Sequence, residues 1–169
     1  MKSILFIAIM LSTSYSKTIL VNLSEQKLYA KEKGVIFLSS RISSGRKGHE
    51  TPTGTFLIKQ KKALHKSTIY PKPKGGAKMP FMMRLGWTAV ALHQGNVPQY
   101  PDSHGCIRLP PSKAKKLYMW ADIDTKVVVY GATHSKEEMM EIKELAFQEE
   151  MNFELLEYYN KDDYIIESY

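Results

Sequence analysis

The sequence predicts a mainly β domain of the sandwich or barrel type, and two observations support that prediction. Short apolar or alternating runs recur along the chain, and turn residues such as Asn22, Ser24 and Gly34 separate the first of them. Runs at such close spacing are typical of antiparallel sandwiches and barrels. The chain has 169 residues, which is enough for one domain with a hydrophobic core.

Residues 1–16 have the pattern of a cleavable signal peptide. Lys2 is the basic start, residues 4–11 are apolar, and residues 14–16 form a small-x-small cleavage site. The apolar stretch is shorter than the ~20 residues that a membrane span needs. We therefore expect a protein exported to the periplasm or cell wall, with no stable membrane insertion after cleavage. A buried first strand or helix is the alternative interpretation of this segment.

Six segments of the remaining chain have the length and the alternation of strands. Between Lys59 and Met79 lies a lysine-rich stretch with the run Pro-Lys-Pro-Lys-Gly-Gly at 71–76, which predicts a long surface loop. Such loops often face a substrate, and a solvated insertion is an equally good interpretation. The expected strands are 18–22, 27–31, 35–39, 53–59, 88–93 and 126–130.

Two helices are expected to accompany these strands. Residues 112–120 follow two prolines and have Ser112 as a candidate N-cap. Residues 135–159 carry apolar side chains at helical spacing opposite a face rich in glutamate, which predicts an acidic amphipathic helix. Its apolar positions are Met139, Ile142, Leu145, Ala146, Met151, Leu155, Leu156 and Tyr159.

Charge is distributed unevenly along the chain, whose net charge is +7. Residues 133–169 contain 3 Lys and 11 Asp or Glu, a net charge of −8, and the rest of the chain has a net charge of +15. A basic body of this kind favours an anionic partner such as nucleic acid, an acidic polymer or an anionic cell wall. The expected export argues against nucleic acid. Neutralisation of the body by the acidic tail is a further interpretation.

The single cysteine of the chain, Cys106, is the strongest candidate for chemistry. An exported chain with one thiol has no disulfide partner for it, and His93 and His104 supply imidazoles to activate a thiolate. His93 is the expected base, and His104 is expected to have an architectural role. Gly105 would allow a sharp turn beside the sulfur, and Arg108 could bind a substrate carboxylate or hold the loop.

The same residues allow two other interpretations. A free cysteine is commonly a small buried hydrophobic residue. His93, His104 and Cys106 are also three potential zinc ligands, although they lack a fourth ligand and any paired spacing. We therefore expect neither a metal nor an organic cofactor.

Three blocks of sequence resemble the L,D-transpeptidase (YkuD) catalytic domain family. A-L-H-Q-G at 91–95 followed by S-H-G-C-I-R-L-P at 103–110 is similar to the signature of the family. S-S-G at 43–45 with T-P-T-G-T-F at 51–56 is similar to its S-x-G and T-P-x-G-x-F segments. M-P-F-M at 79–82 is similar to its M-P-aromatic stretch. The resemblance covers roughly residues 18–131.

The resemblance implies a YkuD-like β-sandwich or barrel and a cysteine acyltransferase. Cys106 is expected to attack the carbonyl between the diamino acid and the D-alanine of a peptidoglycan tetrapeptide stem, with His93 as proton acceptor and donor. The other expected site residues are Ser103, His104 and Gly105, which shape the nucleophile loop and the oxyanion site, and Arg108, Met79 and Phe81, which contact the substrate.

The resemblance also implies the second half of the reaction. The thioester passes to an amine, which lies on a second stem in 3-3 cross-linking or on a lipoprotein in protein anchoring. With water as acceptor the activity is that of an L,D-carboxypeptidase. A non-catalytic cell-wall-binding module is the alternative from a different class. The expected organisation is a signal peptide at 1–16, a catalytic domain at 17–132 and an acidic helical extension at 133–169.

Overall fold

The computed structural model describes residues 17–71, 73–98 and 100–166, so the predicted signal peptide lies outside the described residues. No helix in the described part of the chain is long and apolar enough to cross a membrane. The described elements, in chain order, are β1 Thr18–Asn22, β2 Lys27–Glu32, β3 Val35–Arg41, β4 Gly54–Lys62, β5 Met82–Leu85, β6 Ala91–Gln94, β7 Ile107–Leu109, α1 Pro111–Trp120, β8 Lys126–Tyr130 and α2 Lys136–Ile166.

The strands form one sheet in the order β3-β2-β1-β8-β4-β5-β6-β7. Its two ends meet where the backbones of Ser43 and Arg108 exchange hydrogen bonds of 3.1 and 3.0 Å, so the sheet nearly closes into a barrel. The predicted mainly β sandwich or barrel is thereby confirmed. Two pairs depart from the antiparallel pairing typical of such domains, because β1 and β8, and likewise β6 and β7, run parallel. Parallel neighbours require long crossover connections, and in this chain such connections follow β1 and β6.

Apolar and polar side chains alternate along the strands, so that the apolar ones face inward and form the hydrophobic core of the barrel. Ile19 and Val21 of β1 face Val127 and Val129 of β8, and all four are buried. Helix α1 closes this core from outside with Ala114, Leu117 and Trp120. Burial of each large aliphatic side chain contributes about 1.5–3 kcal/mol, so the core fixes the positions of the strands that carry the site.

The predicted Ser112 cap of α1 is wrong, because the helix begins one residue earlier. Pro111 is its first residue and Pro110 its N-cap, with no side-chain hydrogen bond. Proline is favourable at a first helical position because its ring fixes a helical φ and its missing N–H has no intrahelical partner there.

The acidic C-terminal segment forms α2, which begins at a capping box. The N–H of Glu138 donates to Ser135 Oγ at 3.1 Å, and the N–H of Ser135 donates to Glu138 Oε2 at 2.6 Å. Met139 is buried, whereas Ile142, Leu145 and Met151 are exposed. The predicted apolar positions Ala146, Leu155, Leu156 and Tyr159 lie outside the side chains that the structure describes. Packing of the helix against the domain is therefore seen only near its first turn.

The lysine-rich connection lies three residues later in the chain than predicted, because β4 extends to Lys62 and β5 begins at Met82. The connection between them, residues 63–81, is called the β4–β5 loop below. Its two arms pair at a bridge between Lys66 and Lys78, and the Phe81 N–H donates to the carbonyl oxygen of Ala63 at 2.8 Å. The loop therefore folds back over β5 and β6 and covers one face of the sheet.

Candidate active site

Strands β5, β6 and β7 have one face in the core and the other on a cavity. Met83, Leu85, Leu92 and Ile107 point into the core and are fully buried. The alternate residues of these strands line a cavity of about 410 Å³ beneath the β4–β5 loop. The candidate nucleophile lies in this cavity because Cys106 immediately precedes β7.

Cys106 is half-buried, and its sulfur lies against a small apolar cluster. Met79, Met82 and Ala91 form this cluster. The Sγ–H donates weakly to the carbonyl oxygen of Ala89 at 3.9 Å. Burial raises the pKa of the Cys106 thiol above its ordinary value, although the Ala91 N–H and the Arg108 charge lower it in part. The thiol is therefore protonated at neutral pH, and a base is needed to form the thiolate.

His93 lies on β6, and its imidazole is 8% exposed. Its Nδ1 is 2.7 Å from the carbonyl oxygen of Gln94, and because a carbonyl oxygen can only accept, Nδ1 carries the proton. Nε2 is then left with a free lone pair. Burial, the largest effect, lowers the pKa of His93 below its ordinary value, so the ring is neutral at neutral pH. A neutral imidazole with a free Nε2 is able to accept a proton.

The strand register places His93 and Cys106 on the same face of the sheet. β6 and β7 are parallel, with Leu92 opposite Ile107 and His93 opposite Arg108. Cys106 therefore lies opposite Ala91. Because Ala91 is two residues before His93 on β6, His93 and Cys106 are on neighbouring strands and point to the same face. Strand spacing puts their Cα atoms roughly 8 Å apart, a distance that an imidazole side chain can span.

The loop before β7 is held by Ser103 and Thr51. Ser103 Oγ donates to the Cys106 carbonyl oxygen at 2.5 Å and accepts from the Gly105 N–H at 3.0 Å. Thr51 Oγ1 donates to the Gly105 carbonyl oxygen at 2.8 Å. Gly105 has φ of 111°, which a side chain would strain. The Gly105 N–H is engaged within the loop by Ser103 Oγ, and the expected contribution of Gly105 to an oxyanion site stays a prediction.

His104 is exposed, and it lines the same cavity as Cys106. Its ring stacks on Tyr70 of the β4–β5 loop with centroids 4.3 Å apart, and it lies 4.9 Å from the ring of His49. Its Nε2 is 3.0 Å from a guanidinium nitrogen of Arg46. This ring therefore links the nucleophile loop to the loop that covers the cavity.

Arg108 lines the cavity, but its guanidinium is engaged by the loop that precedes the nucleophile. It donates to the carboxylate of Asp102 at 2.9 Å and to the Asp102 carbonyl oxygen at 2.9 Å. The side chain packs on Gly95, where an added Cβ would lie 2.9 Å from it. Of the two roles expected for Arg108, the geometry fits the hydrogen bond to the loop.

The two residues expected from the 79–82 block are placed differently. Met79 lines the cavity and is buried against Met82. Phe81 is not among the described residues that line the cavity; its ring packs on Tyr118 and the main core, with centroids 5.7 Å apart. Its φ of 56° turns the chain, so that Met82 takes the cavity side. Phe81 thus lies on the core side in this structure, and its expected substrate contact stays a prediction.

Sequence reasoning missed several residues of this site. His65 and Tyr70 of the β4–β5 loop line the cavity, and Arg84 of β5 lines it as well. Asp102, which binds Arg108, was also not identified from the sequence. The alternation in Met82-Met83-Arg84-Leu85 was the available signal for Arg84, because it indicates a strand with one polar face. In the described part of the chain, no three His, Cys, Asp or Glu side chains are grouped to hold a metal ion.

Comparison with known proteins agrees with this geometry. The chain matches the family model of the L,D-transpeptidase catalytic domain (YkuD) over residues 16–129. A crystal structure of an L,D-transpeptidase from Stackebrandtia nassauensis is 28% identical, with a TM-score of 0.63, over 72% of this chain and 58% of that chain. The C442S mutant of the Enterococcus faecium L,D-transpeptidase is 30% identical, with a TM-score of 0.60, over 68% of this chain and 50% of that chain.

An L,D-transpeptidase from Mycobacterium smegmatis is 22% identical with a TM-score of 0.62 and shares the fold; the match covers 69% of this chain and 59% of that chain. The match thus covers between 50% and 59% of the length of these three structures. No curated protein matches the chain. The family match covers well over half of the sequence and includes both Cys106 and His93. The chain therefore belongs to the L,D-transpeptidase catalytic domain (YkuD) family.

Proposed function

We propose that this protein is an L,D-transpeptidase, a cysteine acyltransferase that acts on peptidoglycan tetrapeptide stems. The observation that carries the proposal is the placement of Cys106 and His93 on one face of β6 and β7, lining one cavity. A thiol and a neutral imidazole on adjacent strands are the two groups that acyl transfer through a thioester requires.

In the first half of the reaction, the thiol proton passes to Nε2 of His93 and the thiolate attacks the carbonyl carbon between the diamino acid and D-alanine. The tetrahedral intermediate collapses, the carbon–nitrogen bond breaks, and the imidazolium returns its proton to the departing amine. The hydrogen bond from Nδ1 to Gln94 supports this role because it keeps the lone pair on Nε2.

The oxyanion of the intermediate needs a backbone donor beside the sulfur. The Gly105 N–H is engaged by Ser103, whereas no described residue accepts a hydrogen bond from the Cys106 N–H. We assign the Cys106 N–H as an oxyanion donor. Thr51 holds the Gly105 carbonyl of the same peptide unit, and Ser103 holds the Cys106 carbonyl of the next one, so the direction of this N–H is set before substrate binds.

In the second half, an acceptor amine attacks the thioester and gives a proton to His93. The thiolate leaves and regains its proton from the imidazolium, which restores the starting state. An amine on a second stem gives a 3-3 cross-link, and an amine on a lipoprotein gives an anchored protein. This proposal places the protein in the periplasm or cell wall, with residues 1–16 as the export signal, 17–132 as the catalytic domain and 133–169 as an acidic extension.

Product analysis tests the proposal directly. Purified protein lacking residues 1–16 is incubated with a disaccharide-tetrapeptide, and the products are resolved by mass spectrometry. Dimers linked through the diamino acid, together with free D-alanine, are the expected products. Cys106→Ala is the matched control and should give neither.

The same experiment separates the rival functions. Tripeptide without dimers would identify an L,D-carboxypeptidase that uses water as acceptor. Unchanged tetrapeptide with measurable binding would identify a non-catalytic wall-binding module and would overturn the proposed chemistry.

A further inference from the structure

The cavity around Cys106 contains positive charge without any acidic side chain. Its described lining includes Lys78, Arg84 and Arg108, and no Asp or Glu is among the described residues that line it. A concave site with charges of one sign attracts ligands of the opposite sign. These three cations differ in whether a protein partner already engages them.

Arg84 is the lining arginine for which no described residue is a partner. Arg108 is paired with Asp102, as described above. The half-buried Arg84 guanidinium has no hydrogen bond or ion pair with any described residue. A guanidinium held in a cavity without an acceptor is suited to a bidentate interaction with a planar anion.

The strand register places Arg84 close to the reacting atoms. Arg84 pairs with Ala91 across β5 and β6, and Ala91 is level with Cys106 across β6 and β7. The three residues therefore form one row across the sheet, on the cavity face. Strand spacing sets the Cα atoms of Arg84 and Cys106 roughly 10 Å apart, so a peptide on Cys106 extends within reach of an arginine side chain.

A second residue shows the influence of this charge. Arg84 helps to lower the pKa of His65, which lines the same cavity, although burial of the imidazole is the larger cause and the charge of Lys62 also contributes. His65 is therefore neutral at neutral pH and does not add to the positive charge. Among the described residues that line the cavity, Arg84 and the exposed Lys78 are the charged groups left to meet an anion on this side of the sulfur.

We propose that Arg84 binds a free carboxylate of the peptide substrate and thereby determines specificity for stems that carry that carboxylate. This inference rests on the proposed function for the identity of the peptide. It adds a residue and an interaction to it: a salt bridge that positions the peptide over Cys106. Stem peptides carry more than one free carboxylate, including that of the terminal D-alanine, and the experiment distinguishes among them.

Binding is measured in the Cys106→Ala background, so that catalysis cannot complicate the result. Calorimetric titration uses the disaccharide-tetrapeptide and analogues amidated at one carboxyl group at a time. Arg84→Gln should weaken binding of the free tetrapeptide roughly 10- to 100-fold, the usual effect of losing a charged hydrogen bond. One amidated analogue should have the same affinity for the protein with Arg84 and for the Arg84→Gln variant. The carboxyl group that is amidated in this analogue is the one that Arg84 binds.

Two further variants control the interpretation. Lys115→Gln removes one positive charge from the exposed face of α1 and should leave binding unchanged. Arg84→Lys should recover part of the affinity, and it serves as the informative variant if Arg84→Gln does not fold. In the parent protein, amidation of the carboxylate that Arg84 binds should lower the affinity. The inference is overturned if amidation of each carboxyl group changes the affinity of the Arg84 variants as much as it changes the affinity of the parent protein.

The two proposals fail in different ways. If peptide binding depends on Arg84 but the protein that retains Cys106 shows no turnover, the proposed acyl transfer is wrong and the carboxylate site is supported. If the protein shows turnover but binding does not depend on Arg84, the carboxylate site is wrong and the acyl transfer is supported.

Discussion

Thr51 Oγ1 donates a hydrogen bond of 2.8 Å to the carbonyl oxygen of Gly105 and accepts one of 2.9 Å from the Gly45 N–H. Through this one hydroxyl, two segments far apart in sequence hold the peptide unit that precedes Cys106. The T-P-x-G segment is thus part of the support of the candidate nucleophile, although Thr51 does not line the cavity.

Replacing this hydroxyl should destabilise the protein and slow acylation. Thr51→Val keeps the side-chain volume but leaves two buried backbone groups unpaired, each at a cost of about 1–3 kcal/mol. Urea unfolding measures the loss, and the rate of Cys106 acylation by a carbapenem measures the effect on the site. Thr51→Ser keeps the hydroxyl and should behave like the parent protein; equal midpoints for the valine and serine variants would contradict this role.

The acylation rate should depend on pH through His93. The base form of His93 predominates above its lowered pKa, so the rate should rise with pH in a range below the ordinary value of 6.5 and then stay level. The thiol should ionise on its own only above 9.0, because burial raises its pKa. Ultraviolet absorbance of the thiolate follows this directly, and a thiolate already present at pH 6 would contradict a neutral thiol–imidazole pair.

Removing the imidazole should lower the rate without unfolding the protein. His93→Gln keeps a polar side chain and should reduce acylation of Cys106 by about 10²–10⁴-fold, the usual contribution of a positioned general base. His134→Gln is the control, because His134 lies at the start of α2 and does not line the cavity. Stopped-flow fluorescence or mass spectrometry gives the rates, and comparable rates for both variants would remove His93 from the mechanism.

Gly105 should matter for both stability and activity, whereas another glycine matters for stability alone. Gly105 and Gly34 have φ of 111° and 78°. Alanine at either position should cost about 1–2 kcal/mol, because a Cβ disfavours positive φ. Only Gly105→Ala should also slow acylation, since Gly34 lies in the β2–β3 turn. Equal acylation rates for the two variants would show that the Gly105 conformation does not position the sulfur.

The distal part of α2 should be dispensable for folding and for acylation. Met139 packs into the domain, whereas Ile142, Leu145 and Met151 are exposed. Truncation after Lys143 should therefore change the free energy of unfolding by less than about 1 kcal/mol. Met139→Ala should cost more, about 2 kcal/mol, because it removes a buried side chain. A truncated protein with an altered acylation rate would instead indicate that the tail controls the site.

The sequence predicted the strands whose alternation is long enough to be recognised. Segments 18–22 and 126–130 coincide with β1 and β8, because both have regular alternation and clear turns beside them. β5 and β7 were missed because they have 4 and 3 residues, too few for a periodic signal. Their position in the sheet depends on pairing with distant strands, which local patterns do not encode.

The part of the candidate site that lies within recognisable motifs was predictable from the sequence. Cys106 and His93 were found from residue chemistry and motif, whereas the neighbours that tune them come from other segments. The packing of Phe81 on the core was not expected from its motif, because local patterns do not reveal the positive φ at that residue. His65 and Arg84 were missed because only the folding of the β4–β5 loop and the register of β5 bring them beside the sulfur.

The intact mass of the protein after incubation with a carbapenem at neutral pH identifies the nucleophile. We expect one added carbapenem per chain, located on Cys106 by peptide mapping and absent from Cys106→Ala. A protein whose mass is unchanged, with Cys106 still free, would contradict the assignment of this thiol as the nucleophile.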